Sequence, residues 1–434
     1  MRQTLFHIPP EVFGVPTLGF GWVLALWVVI SIVLAIPIAK EQGWQSAIAG
    51  MLPYLAIGAA VIIFVLPNIE EASLTDPSVN LGLPIRGYGV AMFFSVTSGV
   101  WLALRGARRV GLHDDVIYSL AMWMFVLGFA GARLFYLIQK RDEMRAESWV
   151  EYLGNAINIT QGGLVVYGSL IGAMIAYAVF AYRHRLPHLV IGDILAPAML
   201  FGLSIGRLGC LLNGCCYGGV CDHPWAVQFP INSPPYMDQM QSGLGQGIYL
   251  GLNADGEAEV RSILPDSPAA IAGLKAGDVI QSLTSGNLGK GPVVAAGAIT
   301  TDTRIRLNSA PNTAMSAKLE DGRTVEWQST MTPKHSFPIH PTQIYSSLNA
   351  LLLFLVIMAI RPFQRRDGLL FAITMTAYPI TRFMLEIVRT DEAPINSAGF
   401  TISQTVSFFI IAAAVGLWIM VYRQPAGRQR LVAR

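Results

Sequence analysis

Apolar residues fall in runs of about twenty along most of this chain, the length a helix needs to cross a hydrocarbon layer while satisfying its own backbone. The runs predict nine spans, at roughly 18–38, 50–67, 86–104, 116–138, 163–182, 190–212, 344–361, 369–388 and 401–422. The second is the most interrupted, by Pro53 and Gly58. The first is too long for a signal-peptide core and lacks a small-residue cleavage site, so it reads as a retained span. One stretch breaks the pattern. From about 245 to 330 the long runs give way to short alternating ones: Glu259-Val260-Arg261-Ser262-Ile263, Arg304-Ile305-Arg306-Leu307 and Thr324-Val325-Glu326-Trp327. Punctuated by Gly, Asn and Asp, these predict short strands and turns.

Composition agrees with the pattern. Charged residues are 13% of the 434, about half the usual share for a soluble domain, and hydrophobic ones 53%. A wholly soluble enzyme, a disordered tail and a nucleic-acid binder are excluded. The net charge of +3 gains meaning only from its placement. Arg105, Arg108 and Arg109, then Arg183 and Arg185, then Arg361, Arg365 and Arg366, and finally Arg423, Arg428, Arg430 and Arg434 collect in loops or tail. With nine spans all four groups lie on one side, which the positive-inside bias makes the cytoplasm. The N-terminus and the long segment 214–343 then lie outside, with Glu70, Glu71 and Asp76, and the C-terminus inside. Eight spans would break this agreement.

Ionisable residues inside spans are functional candidates, because each is costly in lipid. Arg133, Arg207 and Arg382 are the clearest, with Glu386 four residues past Arg382 and Arg389 three past Glu386, all on one helix face. Asp193 opens the sixth span, and Asp193 and Glu386 together neutralise two cations at most. A phosphate group suits the remainder, since guanidinium forks match its oxygens bidentately. Arg207 and Arg382 stand beside Gly, Tyr and Asn and favour that reading; for Arg133 and Arg389, interhelical pairing or reach to the interface is the stronger alternative.

Cys210, Cys215, Cys216 and Cys221 are the chain's four cysteines. Their spacing is not a repeated C-x-x-C, which disfavours a structural zinc. A disulfide at the oxidising outer face and buried inert thiols both remain open, and a cysteine nucleophile is the less favoured reading. No metal and no cofactor are expected. His340, opening the seventh span, can cap, bind a headgroup or move a proton. Tyr88 and Tyr167 sit beside glycines that permit close backbone approach.

Two resemblances emerge from these segments. Ser267-Pro268-Ala269-Ala270 through Ala272-Gly273-Leu274 to Gly277-Asp278-Val279-Ile280 resembles the helix and following strand of a PDZ domain, which makes Gly247–Leu252 the expected carboxylate-binding loop and a peptide or protein C-terminus a candidate ligand. A β-rich spacer that binds nothing is the alternative. In order along the chain, Arg86-Gly87-Tyr88-Gly89, Gly131-Ala132-Arg133, Gly162-Gly163 with Gly168, Asp193, Gly206-Arg207-Leu208-Gly209 with Asn213-Gly214 and Gly218, His340-Pro341-Thr342-Gln343-Ile344-Tyr345, and Tyr378 to Arg389 resemble the bacterial prolipoprotein diacylglyceryl transferase family. The match covers about 84–230 and 338–422.

The resemblance implies an all-α polytopic protein of the cytoplasmic (inner) membrane, seven of its spans matching the family core, with a small β-rich domain inserted in an extracytoplasmic loop. The expected division is 1–83 with two extra helices inserted after a family-like start, 84–232 and 335–434 as the transferase core, and 233–334 as the insert. It implies transfer of diacylglyceryl from phosphatidylglycerol to the lipobox cysteine of secreted prolipoproteins. Arg207 and Arg382 would hold the headgroup, with Tyr378 and Glu386 supporting it, Tyr88, Asn213 and Arg133 contacting lipid, and Arg382, Tyr167, His340 and Glu386 as the catalytic candidates. Three departures stand out. The family's proposed basic histidine is Tyr167 here, its Asn after Gly-Arg-x-Gly is Cys210, and its Glu two past Asn213 is Cys215. A tyrosine titrating at about 10 is a weak base, whereas an acceptor thiol at about 8.5 is already a few per cent thiolate near neutrality. A phospholipid-dependent transferase with another acceptor, and a non-catalytic lipid-binding sensor of exported proteins, are the alternative readings; a transporter is disfavoured because no inverted repeat is apparent.

Overall fold

The computed structural model describes residues 3–72, 79–140, 163, 165–253, 255–285, 292–295, 314–328, 333–390, 400–425 and 427. Among them, eight helices are long and apolar enough to cross a membrane: Trp22–Lys40, Trp44–Ile69, Gly87–Val110, Asp114–Gln139, Val166–Arg183, His188–Asn213, Thr342–Phe363 and Ile402–Arg423. Each overlaps an expected span. The expected span 369–388 is the 18-residue helix Leu369–Glu386, which stands outside those eight. Thr374, Thr376, Tyr378, Pro379, Thr381, Arg382 and Glu386 dilute its apolar surface, and these include the residues that carry its chemistry. The second span begins earlier than expected, at Trp44. Gly58 does not interrupt it: a Cβ there would fall 2.3 Å from the Trp27 ring, so glycine is what lets the first two helices approach.

The chain divides into two compact units. The unit formed by Gln3–Val90 and Ala107–His188 holds this helical pair. Strand Thr4–Ile8 pairs antiparallel with Asn80–Arg86, whose other edge carries Glu71–Ala72. The chain therefore leaves a sheet, makes the two-helix excursion and returns to that sheet. Glu71 bonds Arg86 at 2.7 Å and His7 at 3.2 Å. In the same unit, Asp114–Gln139 and Val166–Arg183 pack through glycines. A Cβ on Gly131 would lie 2.4 Å from the Gly168 carbonyl, and one on Gly172 would lie 2.1 Å from that of Leu127. Such close backbone contact is how helices associate in lipid, where apolar burial gives no preference for protein over acyl chain.

The unit formed by Ala91–Gly106 and Leu189–Leu431 is built on the helix His188–Asn213, the most enclosed span at 67% buried against 6–28% for the others. Its small residues admit neighbours: Ser95 donates to the Gly202 carbonyl at 2.6 Å, Ser347 to that of Ser204 at 2.7 Å, and the Phe371 ring lies where a Gly192 Cβ would be. Leu369–Glu386 packs against Thr342–Ile360 and Ile402–Arg423.

The polar stretch folds as the alternating pattern requires. Ile248–Leu252 and Ala258–Ile263 form an antiparallel hairpin. A four-stranded sheet runs in the order Thr324–Gln328, Ala314–Leu319, Ile280–Ser285, Pro292–Ala295. Ile248, Leu250, Val260, Leu274, Ile280, Leu283, Met315, Leu319 and Trp327 close one core, each full burial stabilising by about 1.5–3 kcal/mol. Ser267 caps the short helix Pro268–Ile271 by accepting from the Ala270 amide at 3.2 Å. Gly247–Leu252 is not a loop, as expected, but mostly strand; the glycine turn precedes it, with Gly243 and Gly247 at φ 106° and 76°. The expected strand Arg304–Leu307 lies outside the described residues.

Candidate functional site

Three helix ends meet through a short backbone ladder. The extended segment Gly218–Cys221 lies between two others: the Gly218 amide donates to the His340 carbonyl at 3.1 Å, His340 to Gly219 at 3.0 Å, Gly219 to Val388 at 3.2 Å and Cys221 to Pro338 at 3.0 Å. This ties the end of His188–Asn213 to the start of Thr342–Ile360 and the end of Leu369–Glu386. Gly218 has no room for a side chain, since a Cβ would sit 2.7 Å from that of His340 and 2.8 Å from Thr342 Cγ2. The connection from helix to ladder turns at Gly214 and Cys216, both left-handed, with φ of 81° and 60°. Thr342 Oγ1 and Gln343 Nε2 hold the turn by donating to the carbonyls of Cys216 and Cys215 at 2.6 and 2.7 Å.

Glu386 is the electrostatic centre. Its carboxylate, fully enclosed, accepts from Arg382 one turn before and from Arg389 at 3.2 Å, while Thr401 Oγ1 donates to its other oxygen at 3.1 Å. The second Arg382 nitrogen donates to Ser403 at 3.0 Å. The sequence spacing foretold the arginines; Thr401 and Ser403 were not anticipated. A signal for them existed: Thr401-x-x-Gln404 is a capping box, and it fixes the start of Ile402–Arg423 against the carboxylate. Arg207 lies on the central helix with Tyr378, Cys216 and Cys210 as its electrostatic neighbours, and its buried Nε has no hydrogen-bond partner among the described residues.

Asp193 does not counter an arginine, as expected from its place in a span. Buried, it accepts from the amides of Gly368 at 2.6 Å and Phe371 at 2.9 Å and from Gln364, so it caps the Leu369–Glu386 helix from a neighbouring helix. Its charge is used by helix-terminal amides. Arg382 and Arg389 share the Glu386 carboxylate, and Arg207 and Arg389 both lie near the Cys216 thiol.

All four cysteines are free thiols, and the sulfurs of Cys210, Cys215 and Cys216 lie within 4.8 Å of one another. Asn213 hydrogen-bonds Cys215. Hydrogen bonds from Cys210 and Cys215, with the charges of Arg207 and Arg389, hold the Cys216 thiol below the ordinary thiol range. His340 lies 3.3 Å from the Tyr345 hydroxyl, and burial, then the neighbouring His223, lowers its pKa. His223 stacks on Trp225, whose Nε1 donates to Tyr345 at 2.7 Å.

Arg207, Asn213, His340, Tyr378, Arg382 and Glu386 thus share one unit. Tyr88, Arg133 and Tyr167 belong to the other. Arg133 donates to the Gly163 carbonyl at 3.0 Å and stands over the Tyr136 ring at 5.1 Å. Tyr88 and Tyr167 lie in the first turns of Gly87–Val110 and Val166–Arg183.

Residues 77–420 match the family model of prolipoprotein diacylglyceryl transferase. The chain belongs to that family. A phosphatidylglycerol–prolipoprotein diacylglyceryl transferase from Rhodopirellula baltica is 34% identical over 96% of this chain and 88% of its own length. Enzymes of the same name from Thermosynechococcus vestitus and Mycobacterium leprae are 31% and 24% identical over 38% and 80% of this chain, and over 60% and 79% of theirs. The R. baltica alignment extends over nearly the whole chain, the first two helices and the insert among it, whereas the T. vestitus alignment is confined to a part.

Proposed function

We propose that the chain transfers the diacylglyceryl group of phosphatidylglycerol to the lipobox cysteine thiol of secreted prolipoproteins, the first step of bacterial lipoprotein maturation. One observation carries the reading: Arg382 and Arg389 meet on Glu386, and Arg207 and Arg389 meet beside Cys216, on segments the family model matches. Three guanidiniums thus cluster, and the buried Arg207 Nε has no hydrogen-bond partner among the described residues; a phosphodiester headgroup suits both the charge and the donor. Arg207 and Arg382 hold the phosphate. As the thiol sulfur bonds to the glyceryl carbon, the carbon–oxygen bond to phosphate breaks and glycerol phosphate leaves with the electron pair. Arg382, pre-set by Glu386 and Ser403, meets the charge growing on that oxygen, an effect worth a few kcal/mol in other enzymes. Tyr378 orients Arg207. The roles of Tyr88, Arg133, Asn213 and Tyr167 rest on the motif match, and His340, kept neutral near pH 7, is available to take a proton.

The same reading places nine spans in the inner membrane, counting Leu369–Glu386, with the insert outside and the C-terminus inside. The sheet that brackets the first two helices supports treating them as an insertion into the family core, and 84–232 with 335–434 as that core. The β-rich insert, read as PDZ-like, takes a peptide or protein C-terminus. Support comes from the Ser267-capped helix Pro268–Ile271 and the following strand Ile280–Ser285, which stand where the PDZ-like motif puts a helix and a strand.

The test uses purified protein, phosphatidylglycerol labelled in its headgroup glycerol, and a lipobox peptide with or without its cysteine. Labelled glycerol phosphate is expected only with the thiol present, and Arg207→Ala and Arg382→Ala each lower turnover at least about tenfold while still inserting. Thiol-independent release, or unchanged turnover in either variant, refutes the reading. Deleting 245–330 is expected to spare basal transfer if the insert recruits substrate.

A further inference from the structure

The thiol cluster borders Arg207 without being assigned a part in holding the headgroup, and its geometry is unlike that of inert buried cysteines. Cys210 lies in the last turn of the central helix, Cys215 follows the left-handed Gly214, and Cys216 is itself left-handed, a conformation that a residue with a side chain adopts at a cost. The result is three sulfurs within 4.8 Å of one another. Three sulfurs on one tetrahedral zinc, with bonds of about 2.3 Å, stand about 3.8 Å apart, so little movement separates the observed spacing from a ligand set. The turn that carries them is clamped from outside by Thr342 and Gln343, which hold the Cys216 and Cys215 carbonyls. Such outer support is what fixes ligand orientation at metal sites. Charge fits as well. Three thiolates around a divalent cation carry a net charge of minus one, and Arg207 and Arg389 are the charged neighbours.

We propose that Cys210, Cys215 and Cys216 form a site for a thiophilic d10 cation of the zinc class, and that its open fourth position takes the acceptor thiol. The inference rests on the transferase reading for its second half. All-thiolate donor sets select zinc or copper(I) over hard cations. Three protein ligands and one free position are the arrangement of catalytic rather than structural zinc. A thiol that coordinates such a cation loses its proton outright. The acceptor cysteine binds, its proton passes to water, and the metal-held thiolate forms the sulfur–carbon bond as glycerol phosphate departs. The cation keeps its oxidation state, and no strong base is required. This answers the departure at Tyr167, since the metal does what a neighbouring basic histidine would do, and it gives Cys210 and Cys215 a shared purpose.

The test begins with reduced, metal-free full-length protein in detergent, titrated with zinc against a competing chelator, and with cobalt(II) as a spectroscopic substitute. One equivalent is expected to bind, with thiolate-to-cobalt charge-transfer absorption. C210S, C215S and C216S should each lose at least tenfold in affinity, while C221S, outside the cluster, retains it. A lipobox peptide should change the cobalt spectrum, and the same peptide with serine should not. For transfer, chelation of the wild-type protein avoids reliance on variants that fold poorly. Stripping is expected to lower turnover at pH 7 at least tenfold, zinc to restore it, and the defect to shrink at pH 9, where an acceptor thiol of pKa about 8.5 ionises unaided. Absence of stoichiometric metal, equal affinity in the serine variants, or a disulfide among the three sulfurs in protein isolated without reductant overturns the site. Full turnover in stripped protein overturns its catalytic part and leaves the transferase reading standing. Stoichiometric metal with no transfer in any state overturns the transferase reading and the thiol-acceptor role together.

Discussion

The Arg382–Glu386–Arg389 triad yields a quantitative test through a double-mutant cycle. Glu386 is fully enclosed, and the arginine side chains are 12% and 6% exposed, so solvent screening is slight. Glu386→Gln removes the charge that accepts from two guanidiniums and a hydroxyl. Taking one partner from a buried ion pair costs about 3–5 kcal/mol, because the remaining charge stays buried and unpaired. Arg382→Gln leaves Glu386 still bonded to Arg389 and Thr401, so its cost is that of one charge-assisted hydrogen bond, about 1.5–3 kcal/mol. Independent effects would sum to about 4.5–8 kcal/mol in the double variant. A shared interaction predicts less than that sum, by a coupling of about 1.5–3 kcal/mol, since the pair can be lost once only. The assay is unfolding in mixed micelles by titration with a denaturing detergent, run in parallel with turnover on labelled phosphatidylglycerol. Turnover should fall at least tenfold in both single variants, equivalent to about 1.4 kcal/mol or more of transition-state stabilisation. Additivity within about 0.5 kcal/mol would refute the claim that these two residues act as a unit.

Other outcomes follow from single contacts. Asp193→Ala removes the acceptor for the Gly368 and Phe371 amides, and should lower unfolding stability by about 2 kcal/mol with a smaller loss for Asp193→Asn; an unmoved midpoint contradicts its capping role. Gly218→Ala forces a methyl against His340 and Thr342 and should cost about 1–3 kcal/mol, with the loss visible as faster proteolysis near the ladder. His340 has a folded pKa below its unfolded value of about 6.5, so the unfolded chain binds the proton first as acid is added, and stability declines as pH falls through and below that value. Unfolding midpoints at pH 7.5 and 5.5 should therefore differ more for the wild type than for His340→Gln, and an equal difference would assign the acid sensitivity elsewhere.

Much of this molecule was legible in its residues. The expected spans at 86–104, 116–138 and 190–212 became Gly87–Val110, Asp114–Gln139 and His188–Asn213 because hydropathy is a local property that survives any packing. Arg382 and Glu386 paired because a spacing of four fixes neighbours on a helix wherever it is placed. The alternating period of 245–330 gave a β-rich fold with one core. The motif order was enough to name the family.

What local pattern did not contain was decided between distant segments. Asp193 looks like a counter-ion by its place in a span, yet it caps a helix that begins 176 positions later, because Gly368 brings that helix's unpaired amides against it. Thr401 and Ser403 became ligands of the charge centre through the packing of Ile402–Arg423 on Leu369–Glu386. Spacing alone disfavoured a structural zinc and left a disulfide or inert thiols open for Cys210, Cys215 and Cys216; two left-handed residues and a clamp from Thr342 and Gln343 bring their sulfurs together. The sequence determined which segments are helical, which are apolar and which residues carry charge, since each depends on a few neighbours. Tertiary structure decided which groups beyond one helix join the Arg382–Glu386 pair and which thiols cluster, since that depends on polar groups finding partners on separate chain segments.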